Sequence, residues 1–277
     1  MGFKLSIYGD VPLGAGLSSS AAVECAAAFA LNELFAFGIE RIELAKIAQL
    51  AEHEFAGVKC GIMDQFASLF GKKDNVIRLD CRSLAYEYFP LKLDGYKIVL
   101  LDSQVKHSLA STEYNVRRSQ CESGVAEIKK RYPHVESLRD VSLSMIEECI
   151  NQDTIIYHRC RDVVEENIRV QEGCIDLLNG NLTAFGEKMF ATHIGLSEQY
   201  GVSCKELDFL VEAVKNMPAV VGARMMGGGF GGCTINIVEI NGVDTLIQSV
   251  TEKYHHESGK ELKAYVVQIE DGTSLIS

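Results

Sequence analysis

Residues 9–22 read Gly9-Asp-Val-Pro-Leu-Gly-Ala-Gly-Leu-Ser-Ser-Ser-Ala-Ala22, and this stretch decides the fold. Before it, the alternation of apolar and polar residues predicts a strand over 3–8. After it, an alanine-rich segment predicts a helix with an apolar stripe at Val23, Ala26, Ala27, Ala30 and Leu34. Between the two, Gly14 and Gly16 allow the backbone to turn tightly and to approach a ligand closely. The pattern is therefore strand, glycine turn and helix start.

This pattern has two interpretations. The first N–H groups of a helix are unpaired and carry a partial positive charge, so a glycine turn before a helix is a ready site for phosphate. Alternatively, Ser18 is an ordinary helix N-cap and the glycines only form a tight turn. No Gly-Lys-Ser/Thr follows the glycines, which excludes a Walker-type loop. Both interpretations remain open at this point.

Composition excludes several classes of function. The chain has 277 residues, 47% of them hydrophobic, and a net charge of -11 with acidic and basic residues mixed along it. This balance argues against nucleic acid or an anionic membrane as the main partner. The nine cysteines form no Cys-x-x-Cys pair and no metal-ligand spacing, as expected for reduced thiols. Since no signal peptide and no long apolar span is present, we expect a cytoplasmic protein.

Two carboxylates flank the next turn. A helix is predicted over 41–55, with an apolar stripe at Leu44, Ile47, Ala48, Ala51 and Phe55. Glu52 lies beside this stripe, where it is either a solvated flank residue or a hard oxygen ligand for Mg2+. Asp64 follows the turn bracketed by Gly57 and Gly61, near the start of a short apolar helix. It is either an N-terminal cap or a general base.

The remaining elements follow from periodicity and turn residues. Residues 75–79 and 85–91 predict a hairpin, and the apolar run 97–102 predicts a buried strand that opens a second domain. His193 falls on an apolar helix face and is expected to be a core or flank residue rather than a catalytic one. The other predicted helices cover 111–132, 155–178, 182–200, 204–216 and 244–255, and the other strands cover 233–238 and 262–269.

A second glycine cluster places five glycines within residues 227–232. Gly227, Gly229 and Gly232 formally satisfy the G-x-G-x-x-G pattern. The dinucleotide fingerprint requires a helix after those glycines, whereas the residues that follow alternate as in a strand. We therefore reject a dinucleotide site and expect backbone packed closely against a ligand or another loop.

Three motifs, in this order, resemble those of the galactokinases, which belong to a kinase family that also holds homoserine, mevalonate and phosphomevalonate kinases. The motifs are Pro12-Leu-Gly-Ala-Gly-Leu-Ser-Ser-Ser-Ala-Ala22, Gly61-Ile-Met-Asp-Gln-Phe66 and Ala223-Arg-Met-Met-Gly-Gly-Gly-Phe-Gly-Gly-Cys233. The segments that start at Gly57, Asp80 and Ser108 resemble galactokinases specifically. The similarity runs along essentially the whole chain.

The resemblance implies ATP-dependent phosphorylation of galactose at its 1-hydroxyl. Asp64 would take the proton from that hydroxyl, and Gly61, Asp64 and Tyr114 would contact the sugar. Ser20 and Glu52 would hold Mg2+, which supplies positive charge for phosphoryl transfer. The ATP phosphates would lie on Gly14, Ala15, Gly16, Leu17, Ser18, Ser19 and Ser20, and the third-motif loop at Gly227, Gly228, Gly229 and Gly231 would close over the site.

The implied fold is α+β with two domains. Residues 1–95 would form a partial N-terminal domain with the phosphate loop and the catalytic Asp64. Residues 96–277 would form a C-terminal domain with a ferredoxin-like sheet, extra helices and the third-motif loop.

The sequence also departs from the galactokinase pattern. Those kinases carry a further motif before the phosphate loop, Gly-Arg-x-Asn-x-x-Gly-Glu-His-x-Asp-Tyr, which supplies an arginine and most sugar contacts, and nothing here matches it. We therefore expect little activity from this chain alone, and a separate chain carrying that segment is one candidate partner. In addition, Met226 replaces the usual threonine of the third motif. The alternatives are a non-catalytic nucleotide or sugar sensor and a sister enzyme such as an N-acetylgalactosamine kinase.

Overall fold

The computed structural model describes residues 2–12, 14–57, 60–105 and 110–276, with positions 110 and 111 described by their backbone alone. Val58, Lys59, Ser108 and Leu109, which belong to the galactokinase-like segments, lie outside the described residues. The chain forms two compact units, Met1–Lys92 with Ile269–Ser277, and Leu93–Gln268. The first boundary falls near the expected position after residue 95, but the last nine residues belong to the first unit rather than the second.

The first unit is built from helices and one hairpin. Its core joins α1, α2 and α3 through residues such as Cys25, Leu44 and Leu69. The hairpin pairs its strands in antiparallel register, with Val76 opposite Phe89, as the sequence predicts. The elements are α1 (Ser19–Phe35), α2 (Arg41–Ala51), a π-helical turn (Glu52–Ala56), α3 (Met63–Phe70), β1 (Asn75–Leu79) and β2 (Tyr86–Pro90).

The buried face of α1 differs from the predicted stripe. The helix buries Ala21, Cys25, Phe29 and Asn32, while Val23 and Leu34 are exposed. The Asn32 side chain bonds to both backbone groups of Ile39, at 3.2 and 2.9 Å. This pairing satisfies a polar side chain inside the unit and fixes which face turns inward. The predicted stripe is wrong because an almost entirely apolar helix offers several equivalent faces.

The strand predicted over 3–8 is not present. Residues 2–10 have no regular secondary structure, and their apolar side chains, among them Phe3 and Ile7, are exposed. A strand exists only as part of a ladder, because its N–H and C=O groups need partners on a neighbouring strand. Neither sheet of the described residues includes this segment. Alternation alone therefore gave a wrong prediction.

The second unit is an antiparallel sheet with helices. Its strand order is β4-β5-β3-β6, with β3 paired on both sides. Together with the helices between β3 and β4 and the helix between β5 and β6, this order is the βαββαβ arrangement expected for a ferredoxin-like domain. The elements are β3 (Tyr96–Asp102), α4 (Ala110–Lys129), α5 (Leu143–Cys149), α6 (Ile155–Leu178), α7 (Leu182–Ile194), a π-helical turn (Gly195–Gln199), α8 (Lys205–Lys215), β4 (Val220–Met225), β5 (Cys233–Glu239), α9 (Val243–Ser258) and β6 (Lys263–Val267), with single 3-10 turns at Leu138–Asp140 and Ile240–Gly242.

Two larger hydrophobic cores and a smaller cluster around Phe230 stabilise this unit. The first lies between the sheet and the helices α8 and α9, where Leu101, Leu210 and Tyr254 are buried. The second joins α4, α5 and α6 around Ile128 and Ile146. His193 is buried, and its Nδ1 accepts the Met225 N–H at 3.2 Å, so it occupies the core position expected from the sequence. In the described part of the chain, no helix is both long and apolar enough to cross a membrane.

Candidate functional site

The loop before α1 has the backbone of an anion-binding turn. Gly14, Gly16 and Ser18 have φ values of 74°, 73° and 54°, and the residues between them do not share the left-handed conformation. Alternation of this kind turns successive N–H groups towards one side and creates a concave surface for anions. The Ser18 hydroxyl makes no capping hydrogen bond to α1. The geometry therefore favours the phosphate interpretation over the simple N-cap.

Solvent exposure differs along this loop, with one buried residue and several exposed ones. Ala15 is buried, whereas Gly14, Gly16 and Ser20 are exposed. Leu17, Ser18 and Ser19 are half-buried. The loop is thus fixed to the unit at Ala15 while the glycines and the last serine face outwards. Ser20 lies in the first turn of α1, where the unpaired N–H groups of the helix are also located.

Glu52 begins the π-helical turn that extends α2, and it meets a second carboxylate. Burial, together with a hydrogen bond to the Glu52 side chain, raises the pKa of Glu24 on α1 to about 7. Oε2 of Glu52 is buried and has no hydrogen-bond partner among the described residues. Two adjacent carboxylates repel each other unless they share a proton or bind a cation. The buried oxygen therefore favours the metal-ligand interpretation of Glu52 over that of a solvated flank residue.

Sequence reasoning missed Glu24. It lies one turn after Ser20 on α1, a spacing that places both residues on one face of the helix. Gln65 of α3 is buried and donates from Nε2 to the Glu24 carboxylate at 3.4 Å. The four-residue spacing from Ser20 was the only sequence signal for Glu24. It was insufficient, because a solvent-exposed glutamate on the same helix could have the same spacing.

The donor set around Glu52 fits a magnesium ion. The unpartnered, buried Glu52 oxygen and the Glu24 carboxylate are hard oxygen ligands of the kind that Mg2+ prefers. Ser20 lies one turn before Glu24 on α1. The described residues contain no group of three or more His, Cys, Asp or Glu side chains that could hold a metal. At phosphate sites Mg2+ is usually bound by one or two carboxylates together with water and the phosphates.

Asp64 is the second residue of α3, whose N-cap position is Ile62. It is therefore not the cap residue, and the helix start has no side-chain cap bond. The carboxylate is half-buried and accepts no hydrogen bond within the part of the chain that the structure describes. Burial, together with the nearby Glu52 and Asp64 charges, raises the pKa of the Cys60 thiol. Both carboxylates thus lie close to one thiol in the first unit.

The turn before Asp64 is held through one carbonyl. The Cys60 carbonyl oxygen lies 3.1 Å from Gln49 Nε2 and 2.8 Å from His53 Nε2, on the last turn of α2 and the π-helical turn. The next residue, Gly61, is exposed, and a Cβ added there would meet no atom within 4 Å. Gly61 therefore lies at an open surface beside Asp64, with its backbone position fixed.

The second unit holds the remaining candidates. Tyr114 on α4 is 39% exposed. In the loop that joins β4 to β5, Gly227 and Gly228 are exposed, and Gly231 is buried. A Cβ at Gly231 would lie 2.4 Å from the Val105 carbonyl oxygen, and one at Gly229 would lie 2.1 Å from the Val202 carbonyl oxygen. Close backbone packing thus explains two of the glycines, while Gly228 has open space around it.

Comparison with known proteins decides the family. Residues 1–72 match the model of the GHMP kinases N terminal domain, and residues 174–256 match that of the GHMP kinases C terminal. A galactokinase from Thermotoga maritima is 42% identical over 273 residues, which cover 99% of this chain and 76% of that protein. The chain belongs to the galactokinase family of GHMP kinases. A galactokinase from Clostridium acetobutylicum is also 42% identical, over all of this chain and 71% of its own length.

Solved structures agree with this membership of the galactokinase family. Lactococcus lactis galactokinase, solved in complex with galactose, matches with a TM-score of 0.91 and 35% identity over 96% of this chain and 69% of its own. A homoserine kinase from Cytophaga hutchinsonii matches with a TM-score of 0.63 at 16% identity and shares the fold alone. As a member of the galactokinase family, the chain is a sugar kinase: a phosphotransferase that uses ATP and acts on an alcohol group.

Proposed function

We propose that this sugar kinase phosphorylates galactose at its 1-hydroxyl, giving galactose 1-phosphate and ADP. Support comes from the galactokinases that are 42% identical over nearly the whole chain and from the similarity to a galactokinase solved with galactose. The observation that carries the proposal is Asp64, a half-buried carboxylate without a hydrogen bond in the described residues, beside the open Gly61 turn.

The proposed roles follow from the chemistry of each group. The N–H groups and hydroxyls of residues 14–20 bind the ATP phosphates. Mg2+, held by Ser20 and Glu52, would neutralise charge on those phosphates. Asp64 accepts the proton of the sugar hydroxyl as its oxygen attacks the γ-phosphorus. Phosphoryl transfer depends mainly on such positioning and electrostatic stabilisation, because little covalent chemistry is left to the protein.

The sugar and the third-motif loop complete the proposal. Gly61 and Tyr114 contact the sugar, and the exposed backbone of Gly227 and Gly228 contacts the nucleotide. Gly228 and Gly61 have open space where a Cβ would be added and no strained φ. A change to alanine at either position therefore tests a ligand contact without disturbing the fold.

We propose a low turnover number for a polypeptide of residues 1–277. None of these residues matches the arginine-containing first motif of galactokinases. Removal of one electrostatic group from a catalytic centre commonly costs about 10²–10³ in turnover number. The comparisons give no support for a separate chain that carries this motif, and we do not propose one.

The test is ADP formation by the purified chain with galactose, ATP and Mg2+, at enzyme concentrations high enough to detect slow turnover. We expect Mg2+-dependent ADP formation that Asp64→Asn reduces by at least about 10³-fold, because the base is lost. Asp74→Asn is the matched control: Asp74 lies at φ 56°, a conformation that asparagine tolerates, and it should leave the rate unchanged.

Calorimetry with ADP and with galactose separates the outcomes. Binding of both ligands without ADP formation would favour a non-catalytic sensor over the proposed kinase. A rate higher with N-acetylgalactosamine than with galactose would assign the sister activity instead. Equal rates for Asp64→Asn and the unchanged chain would overturn the role of Asp64.

A further inference from the structure

The loop formed by residues 226–232, which contains the third motif, has a backbone that needs outside support. Gly227, Gly229, Phe230, Gly231 and Gly232 all have positive φ, with 60° at Phe230. A non-glycine residue in this region costs about 1 kcal/mol or more, so surrounding contacts must hold it there. Phe230 is only 7% exposed and packs with Val202, Leu207 and Met225, all in the second unit.

Two segments contact this loop: the Gly232 N–H donates to the Val105 carbonyl at 3.2 Å, and the first half of the loop lies on Val202. The Phe230 N–H donates to the Val202 carbonyl at 2.7 Å. The same carbonyl oxygen is the atom that a Cβ at Gly229 would approach to 2.1 Å. The loop therefore lies directly on the backbone of Val202, and any shift of that segment would move it.

The residues just before Val202 are held by an arginine of α4. Arg117 donates from Nε to the Tyr200 carbonyl at 3.1 Å and from Nη2 to the Gly201 carbonyl at 2.8 Å. Its Nη1 donates to Glu113 at 3.1 Å. These carbonyls follow the π-helical turn Gly195–Gln199, at a helix end where cations are favoured. Each nitrogen of the guanidinium thus has an assigned partner.

The same guanidinium also contacts the loop directly. Its central carbon lies 5.8 Å from the centre of the Phe230 ring, within the range of a cation–π contact. The Arg117 side chain is only 12% exposed, so this contact and the carbonyl bonds are largely removed from water. One side chain therefore holds both the loop and the backbone on which it lies.

We propose that Arg117 is a positioning residue for the loop of residues 226–232, acting through the Tyr200 and Gly201 carbonyls and the Phe230 ring. A lysine cannot replace it, because an ammonium group lacks the planar fork that reaches two carbonyls while lying over a ring. Tyr114 is three residues before Arg117 on α4, so one helix carries a proposed sugar contact and the residue that holds the loop.

The first test measures hydrogen exchange of the whole chain with Arg117→Lys and Arg117→Met. We expect the amide of Phe230, which donates to the Val202 carbonyl, to exchange at least about tenfold faster, while amides of β3 and β5 keep their rates. Arg118 is the matched control, because it is the next residue, is exposed and pairs only with Glu122 among the residues that the structure describes. Arg118→Lys and Arg118→Met should leave the loop amides unchanged.

Two results would overturn the positioning role. If all amides of the second unit accelerate together, Arg117 is a general structural residue. If the loop amides of Arg117→Lys exchange at the rates of the unchanged chain, a positive charge is sufficient to hold the loop and the guanidinium fork is not required. These readouts do not depend on catalysis, so a failure of the proposed kinase function would leave them valid.

The second test rests on the proposed function and compares kinetic constants. With the loop displaced, we expect Arg117→Lys to lower kcat/KM by at least about tenfold, mainly through kcat, at an unchanged melting temperature. Unchanged kinetic constants with a displaced loop would separate loop position from catalysis and overturn the catalytic part of the proposal. Absence of ADP formation in the unchanged chain would instead count against the proposed function.

Discussion

Asp162, a buried carboxylate of α6, is one residue that makes the stability of the second unit depend on pH. It is 3% exposed, and its Oδ1 has no hydrogen-bond partner among the described residues. Burial, together with the charge of Glu166, raises the pKa of Asp162 to about 6, although Arg169 and Arg159 act in the opposite direction. The nearby charge of Glu165 also raises the pKa of Asp162. The folded chain therefore holds this proton more tightly than the unfolded chain does.

The sign of the pH dependence follows from this difference. The contribution of Asp162 to the free energy of unfolding is fully present below pH 3.8, its ordinary pKa, and is lost as pH rises through about 6. An asparagine at this position does not titrate, so the Asp162→Asn variant should not lose this contribution. We expect the free energy of unfolding of the variant, minus that of the unchanged chain, to increase by about 2 kcal/mol from pH 4 to pH 7. Urea unfolding followed by circular dichroism at several pH values measures this quantity.

Asp153 provides the control for that measurement. It lies in the exposed turn before α6, so Asp153→Asn should change stability equally at both pH values. A pH-independent effect of Asp162→Asn would show that the carboxyl group does not titrate differently in the two states.

Glu24 and Glu52 illustrate which site residues could be predicted from the sequence and which could not. Glu52 was a candidate ligand from its place beside the apolar stripe of its helix, but only the fold shows that its carboxylate meets Glu24. Helix spacing relates residues of one helix, whereas the pairing of α1 with the π-helical turn depends on how separate elements pack. Asp64 was predictable as a candidate because a glycine turn and a helix start mark it locally.

Among the elements, those with one clear apolar face were predicted well. The helix Ile155–Leu178 and the strand Asn75–Leu79 match the expected bounds. The predicted helix over 182–200 is α-helical to Ile194 and then continues as a π-helical turn, a change that has no local sequence signal. The short helix α5 (Leu143–Cys149) was missed because it has two turns, too few for a period to be read.

The contact between α7 and β4 requires glycine at two positions, because a side chain there would collide with the facing backbone. A Cβ added at Gly186 would lie 2.1 Å from the Val221 carbonyl oxygen, and one at Gly222 would lie 2.5 Å from the Gly186 Cα. The helix therefore rests on the strand backbone to backbone. We expect Gly186→Ala to lower the free energy of unfolding by at least about 2 kcal/mol, because the helix or the strand must shift.

Gly173 in α6 is the control for this prediction. Its added Cβ would meet Phe185 Cδ2 at 3.4 Å, an ordinary contact. Since alanine favours the helix interior over glycine, Gly173→Ala should be neutral or stabilising by up to about 1 kcal/mol. Urea unfolding of both variants tests the pair, and equal effects would contradict the role of the close approach at Gly186.

For the molecule as a whole, the first unit is completed by residues far along the chain. The Gly272 N–H donates to the Gly71 carbonyl at 2.9 Å, and the Thr273 N–H donates to the Ser68 carbonyl at 2.8 Å. The Asp271 carboxylate accepts the Lys73 N–H at 2.9 Å. These bonds attach the last segment to the end of α3. Local patterns could not predict this, because the partners are about two hundred residues apart in sequence.

A chain ending at Gln268 should therefore lose stability in the first unit alone. With three such hydrogen bonds removed, we expect a loss of about 3 kcal/mol. Hydrogen exchange would show faster exchange of the α3 amides, with the β5 amides unchanged. A chain ending at Ser274 is the control, because it keeps all three bonds and removes only residues such as Leu275 and Ile276, which are exposed. Equal exchange of α3 in both shortened chains would contradict this attachment.

The path of the chain through the second unit also has a mechanical consequence. The chain enters this unit at residue 93 and leaves it at 268, and the adjoining strand ends are neighbours, since Ile98 pairs with Val267. Tension applied to the second unit at residues 93 and 268 would act on these two neighbouring strand ends. Such a load pulls antiparallel strands apart from one end, so their hydrogen bonds break in sequence rather than together. We expect the β3–β6 ladder to unzip at low force, starting at Val267 and ending at Lys263.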